Sequence, residues 1–62
     1  MDLREYLFRK RLKVTEFSKN LGASRIHISE IVNGRRVPSR LLAKAIEKET
    51  GGEVTVKELL GE

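Results

Sequence analysis

The 62-residue chain contains no cysteine, no tryptophan, one proline and one histidine. Without cysteine it forms neither a disulfide nor a thiolate metal site, and a lone histidine is a poor metal ligand set. No apolar run reaches the roughly 18 residues of a membrane span, and the charged N-terminus has no apolar signal core. We therefore expect one soluble intracellular domain, residues 1–62, near the lower size limit for folding without cross-links.

Features of an active site are also missing. The chain has no glycine-rich phosphate loop followed by lysine, and its carboxylates are scattered among basic residues without a spacing suited to general acid–base chemistry. Only three aromatic side chains are present, which leaves little room for a buried pocket. We expect no enzymatic activity, no cofactor, no metal and no small-molecule ligand.

Positive charge is concentrated in the first two thirds of the chain. Residues 1–40 contain ten lysines and arginines against four acids, residues 41–62 contain three against five, and the whole chain carries +4. A basic surface suits contact with phosphates, which supplies much of the affinity for nucleic acids. An ordinary solvated surface explains the same charge, so its meaning depends on the helix pattern.

Apolar residues at helical spacing stand on both sides of Gly22, with Phe17 and Leu21 before it and Ile28 and Ile31 after it. Each pair shares one helix face. Gly22 permits the positive φ of a tight turn, and Ser18 is small where two steeply crossing helices would touch. The pattern predicts a helix-turn-helix at about 14–33, whose second helix keeps an exposed polar strip.

Start and stop signals predict five helices, at about 3–12, 15–21, 25–32, 39–50 and 55–60. Asp2 and Glu5 form a capping-box pattern before the first helix. Its expected core residues are Leu3, Leu7, Phe8 and Leu12. The expected apolar face of the fourth helix is Leu42, Ala45 and Ile46, with Leu41 nearby.

Residues 53–56 are compatible with two structures. Alternating β-branched residues suggest a short strand, whereas Thr55 and Glu58 fit a capping box that begins a helix. We favour the helix because a lone strand has nothing in this chain to pair with, although a partner copy could supply the pairing. The predicted fold is therefore an all-α, compact five-helix domain.

The motif has further features in common with a known family. They are the apolar Phe17, Leu21, Ala23, Ile28 and Ile31, the small Ser18, the turn Gly22, the Asn33-Gly34 end, and the downstream segments 37–39, 43–47, 50–52 and 54–55. With these residues the whole chain resembles the phage repressor/Cro family of helix-turn-helix regulators (the xenobiotic-response-element class), and most of all small Cro-like and YdaS-like phage or prophage proteins. The resemblance implies a repressor-like DNA-binding domain. Val14 departs from the family pattern, since many members have a phosphate-binding glutamine there. Either that contact is lost in this chain, or Lys13 or Thr15 makes it instead.

The exposed face of the third helix carries the predicted base-reading residues, which are Arg25, Ile26, Ser29 and Glu30. Arginine donates two hydrogen bonds to guanine, isoleucine packs on a thymine methyl, and glutamate accepts from cytosine N4. Arg25 also suits a phosphate, Ser29 suits a base or a phosphate, and Glu30 also suits an ion pair with Arg25 or Lys19. The predicted phosphate contacts are Lys13, Thr15, Ser24, His27, Asn33, Arg35, Arg36 and Arg40. For His27, the only histidine, the default expectation is a structural or solvent-exposed position.

Two functional hypotheses follow. The first is a transcriptional regulator of a bacterial or phage-infected cell that binds double-stranded DNA in the cytoplasm, as a homodimer whose recognition helices lie one DNA turn, ~34 Å, apart. Its expected dimer interface is Val54, Val56, Leu59 and Leu60, unless these residues only complete the core. The alternative is an antitoxin-like or adaptor module that binds a protein through the last two helices, because fold does not determine function.

Overall fold

The computed structural model describes residues 1–61, which form five α-helices: α1 Leu3–Lys10, α2 Val14–Leu21, α3 Arg25–Val32, α4 Arg40–Glu49 and α5 Val56–Leu60. The predicted all-α class and the number of helices are confirmed. The described residues contain no strand, so the strand alternative for 53–56 is wrong. The domain measures 26 × 20 × 18 Å, and none of its described helices is long and apolar enough to cross a membrane.

Side-chain caps explain where the helices begin. The hydroxyl of Ser39 accepts from the Leu42 N–H at 3.2 Å, and Thr55 accepts from the Glu58 N–H at 3.1 Å while Glu58 accepts in return from the Thr55 N–H at 3.2 Å. This capping box satisfies backbone donors that the short α5 leaves without helical partners.

The capping box expected at α1 does not form. Asp2 is the N-cap of α1, but its carboxylate accepts from the Arg4 N–H at 3.0 Å. The Glu5 carboxylate binds the Arg9 guanidinium at 2.7 Å, one turn further along the helix. An ion pair at i, i+4 competes here with the reach back to the cap.

The four most deeply buried large side chains come from successive parts of the chain after α1. Phe17 of α2, Ile28 of α3, Ile46 of α4 and Val54 before α5 are almost completely buried. α2 packs against α3 and α4, and α4 packs against α5. The ring of Tyr6 in α1 meets Phe17 edge-on, with centroids 6.2 Å apart at 61°. This geometry is typical of favourable aromatic pairs.

The expected core position of Phe8 is wrong, because its side chain is 83% exposed. Leu3, Tyr6 and Leu7 form the buried face of α1. At 3.6 residues per turn, Phe8 lies about 140° around the helix from Leu3. Tyr6 therefore takes the place that the sequence pattern assigned to the phenylalanine.

The buried face of α4 is also displaced from the expected one. Ala43 and Ile46 are fully buried, whereas Leu42 and Ala45 are half-buried and Leu41 is 81% exposed. Thr50 continues the buried face beyond the helix. Its hydroxyl donates to the Glu47 carbonyl at 3.1 Å and accepts from the Val54 N–H at 3.1 Å. A buried hydroxyl is tolerated because both hydrogen-bonding roles are used.

Replacing Phe17 with alanine should remove the central side chain of the core. We expect Phe17→Ala to lower the free energy of unfolding by about 3–5 kcal/mol, because a large cavity replaces the ring. Phe8→Ala removes a phenylalanine ring at an exposed site and should change the free energy of unfolding by no more than about 0.5 kcal/mol. Urea unfolding followed by circular dichroism measures both values, and equal losses would contradict the assigned core.

One carboxyl links the two ends of the described chain. The Met1 ammonium binds the Glu58 carboxylate. That hydrogen bond is the main reason why the pKa of Glu58 is lowered, and hydrogen bonds from the N–H and hydroxyl of Thr55 add to the effect. Because the folded pKa lies below the unfolded one, this stabilisation is present above the unfolded value of about 4.3 and is lost as the pH falls through the folded value.

The pH dependence of stability should reveal this carboxyl. Glu58→Gln should melt at a lower temperature than the parent chain near neutral pH, because glutamine carries no charge for the ammonium. The difference should narrow as the pH falls from about 4.3 through the lowered folded pKa of Glu58, below which the carboxyl of the folded chain is neutral. Melting curves of both chains across acidic pH test this, and a constant difference at every pH would exclude a charge effect.

Candidate nucleic-acid interface

The connection between α2 and α3 depends on Gly22, which adopts φ 75° and ψ 26° at the C-cap of α2. This left-handed conformation is strained for residues with a Cβ. A Cβ added at Gly22 would meet no heavy atom within 4 Å. The need for glycine therefore comes from the backbone and not from crowding.

Neighbouring hydrogen bonds complete the connection. The Ala23 N–H donates to the Ser18 carbonyl at 2.9 Å, and the Ser24 hydroxyl accepts from the His27 N–H at 3.5 Å as the N-cap of α3. Ser18 is buried, and its hydroxyl donates to the Thr15 carbonyl at 3.0 Å. A larger side chain at Ser18 would have to displace the buried contacts of α2.

A groove of about 380 Å³ lies along the outer face of α3 and the beginning of α2. It is lined by Val14, Thr15, Arg25, Ile26, Ser29, Glu30, Asn33 and Arg35. All four residues that were predicted to read bases line this groove, together with three of the predicted phosphate contacts. The inward side chains of α3, Ile28 and Ile31, are buried as expected, which turns the groove residues outward.

The groove combines donors, acceptors and an apolar side chain. Arg25 is exposed at the first position of α3, and Ile26 beside it is 67% exposed. The Glu30 carboxylate binds the Arg36 Nε at 2.9 Å, so its partner is neither of the two that the sequence suggested. Arg25 and Arg35 have no ion pair within 4.0 Å in residues 1–61, which leaves both guanidinium groups available to a ligand.

The start of α2 is the point at which the chain departs from the family pattern. Val14 is the first residue of α2 and is half-buried at the wall of the groove, and Thr15 lines it next to Val14. Lys13 is exposed at the N-cap without making a side-chain cap. Thr15 is therefore the flanking residue that the structure brings to the groove. Val14 was not predicted to line the groove. Its position directly before Thr15 was the feature of the sequence that could have placed it there.

The remaining predicted phosphate contacts lie outside the groove. Ser24 serves as the cap described above, and Arg36 holds Glu30. Arg40 is the first residue of α4, where Ser39 caps the helix. His27 is half-buried, and its Nε2 is buried with no hydrogen-bond partner among residues 1–61. Because Nε2 faces protein, only the other ring nitrogen of His27 remains for a phosphate.

The expected dimer interface is only partly at the surface. Val54 is completely buried in the single chain. Its expected place at the interface is therefore wrong, because it completes the core between α4 and α5. Val56, Leu59 and Leu60 are half-buried and retain some exposed apolar area. Of the four residues expected at the dimer interface, these three remain candidates.

No protein-family model, curated protein or solved structure matches this chain.

Proposed function

We propose that this chain is a sequence-specific regulator of transcription that binds double-stranded DNA through the outer face of α3. One observation carries the proposal: the four predicted base-reading side chains line a single groove that also includes Thr15, Asn33 and Arg35. A groove face that combines base-edge chemistry with basic side chains suits the major groove, where bases are distinguished by donors, acceptors and methyl groups.

The size of α3 supports this mode of binding. An α-helix with its side chains is about 10–12 Å across, which fits the roughly 12 Å width of the DNA major groove. In such docking the first turn of the recognition helix reaches the base edges. Arg25 and Ile26 occupy that turn, and both are exposed.

The side chains of the groove match different base edges. Arg25 would donate to the two acceptors of guanine, Ile26 would pack against a thymine methyl, and Glu30 would accept from cytosine. Arg36 neutralises part of the Glu30 charge through their 2.9 Å ion pair. The pair therefore reduces the repulsion that a carboxylate would meet between two phosphate backbones.

The protein would bind a pseudo-palindromic operator as a homodimer. A single α3 contacts few base pairs, and two copies related by twofold symmetry would place their recognition helices one DNA turn, ~34 Å, apart. Val56, Leu59 and Leu60 are the apolar side chains that we assign to the contact between copies. The activity would be exerted in the cytoplasm, where the DNA of a bacterial or phage-infected cell lies.

Selection from random duplex DNA tests base reading. The parent chain should enrich one palindromic site, and Arg25→Ala should lose the preference for one base pair in each half-site, with about tenfold or more weaker binding to the parent's site. Arg4→Ala is the matched control, because Arg4 is an exposed arginine of α1 that does not line the groove. Binding without any sequence preference, or equal losses in both variants, would contradict the proposal.

Salt dependence separates phosphate contacts from base contacts. Arg35→Ala should weaken binding to all sequences alike and reduce the slope of log affinity against log salt concentration by about one, since one phosphate contact is lost. Arg25→Ala should instead change the sequence preference. Anisotropy titrations at several salt concentrations measure both effects, and an unchanged slope in Arg35→Ala would remove Arg35 from the interface.

A further inference from the structure

The end of α1 carries another groove, of about 500 Å³, which is separate from the groove along α3. Its lining residues are Leu7, Phe8, Arg9, Arg11, Leu12 and Lys13, which we call the α1-end patch. Leu7 is buried and Leu12 half-buried, so they form an apolar floor, while the Phe8 ring projects into solvent. A partner bound here would cover the Phe8 ring, and burying an aromatic side chain contributes a large apolar area to an interface.

Every charged residue that lines the patch is basic. Arg9 is already bound by Glu5 at 2.7 Å. Arg11 and Lys13 have no ion pair within 4.0 Å in residues 1–61. The rim therefore attracts a negatively charged partner and repels a basic one.

The backbone of Arg11 is a second, independent observation. Arg11 caps α1 in the left-handed conformation, with φ 54° and ψ 40°. Among residues 1–61, every other residue with positive φ is a glycine. Glycine would adopt this conformation without the clash of a Cβ. The chain has arginine there instead, so it tolerates backbone strain at a position that carries a guanidinium. Strain of this kind is concentrated at functional sites.

We infer that the α1-end patch docks an acidic protein segment that carries one apolar anchor side chain. The basic rim matches carboxylates, and the apolar floor with Phe8 matches the anchor. The phosphate backbone of duplex DNA would match the rim but has no apolar group for Phe8. The patch and the α3 groove share no residue, so the proposal does not rest on the DNA-binding function. Lys13 is the one patch residue that is also among the predicted phosphate contacts.

A second copy of this chain is a poor occupant because most of its carboxylates are already engaged. Asp2 and Glu47 accept from backbone N–H groups, and Glu5, Glu30, Glu53 and Glu58 are in ion pairs. In the described part of the chain only Glu16 and Glu49 have no such partner, and they lie on different helices. Isolated carboxylates do not complement a cluster of cations, so the partner has to bring its own acidic segment.

The probe for this site is a short, labelled, glutamate-rich peptide with one central leucine. Its control peptide has serine in place of leucine. The full chain should bind the leucine peptide about tenfold more tightly than the serine peptide, since the buried anchor supplies a dominant part of the affinity. Amide NMR shifts should place the contact at residues 7–13. Shifts elsewhere would overturn the proposal.

Two variants test the residues themselves. Phe8→Ser and Arg11→Gly should each weaken binding of the leucine peptide about tenfold, whereas Arg4→Ala, an exposed arginine of α1 outside the patch, should not. Arg11→Gly should melt at an equal or higher temperature, because glycine relieves the left-handed strain, so its weaker binding cannot result from unfolding.

The same variants distinguish the other occupants. If Phe8→Ser and Arg11→Gly leave peptide binding unchanged, the docking proposal is wrong. If random duplex DNA rather than the peptide shifts the amides of residues 7–13, and Arg11→Gly weakens DNA binding, the patch belongs to the DNA interface and the proposal is equally overturned. Arg25→Ala should not change peptide binding, so failure of either proposal leaves the other intact.

Discussion

The packing of Phe17 is the interaction on which the rest of the structure depends. A 62-residue chain with only three aromatic rings has little apolar surface to bury, and Phe17 is the large side chain at the centre of what it has. The Tyr6 ring meets it from α1, and α2 packs through this region against α3 and α4. The orientation of α3 follows from this packing, because burying Ile28 and Ile31 turns Arg25 and its neighbours outward.

The small core makes specific polar interactions unusually important. The five-residue α5 is far too short to be stable alone in water. It is held by the Thr55–Glu58 capping box, by the ion pair of Glu58 with Met1, and by the buried Val54 two residues before the helix. Thr50 adds hydrogen bonds inside the same region. The Met1–Glu58 ion pair thus holds α5 against the first residues of the chain, whereas the other interactions are local.

The groove along α3 and the α1-end patch meet at the junction of α1 and α2. Lys13 lines the α1-end patch, and Val14, the next residue, lines the groove of α3. One short segment therefore separates the face proposed for DNA from the face proposed for an acidic partner. Because Lys13 also occupies the N-cap position of α2, a partner bound at the patch would lie close to DNA bound in the groove.

Local rules were sufficient for much of the secondary structure. The capping residues Ser24, Ser39 and Thr55 and the turn Gly22 act through their own neighbouring backbone, so their positions could be predicted from the sequence. The outward side of α3 could also be predicted, because helical spacing alone separates Ile28 from the exposed residues.

Tertiary packing decided which apolar residues enter the core. Phe8 and Leu41 are as apolar as the residues that are buried, yet they lie outside, whereas Val54 lies inside. Helical spacing alone could not choose among neighbouring faces, because the choice depends on which helix each face meets. The Glu30–Arg36 ion pair also depended on the folded structure, because the loop after α3 brings Arg36 back to the helix. The sequence by itself determined the number and the approximate places of the helices and the outward side of α3, whereas α1 ends at Lys10 and not at the expected residue 12. Only the tertiary structure decided the core and the groove along α3, because both are formed by residues distant along the chain.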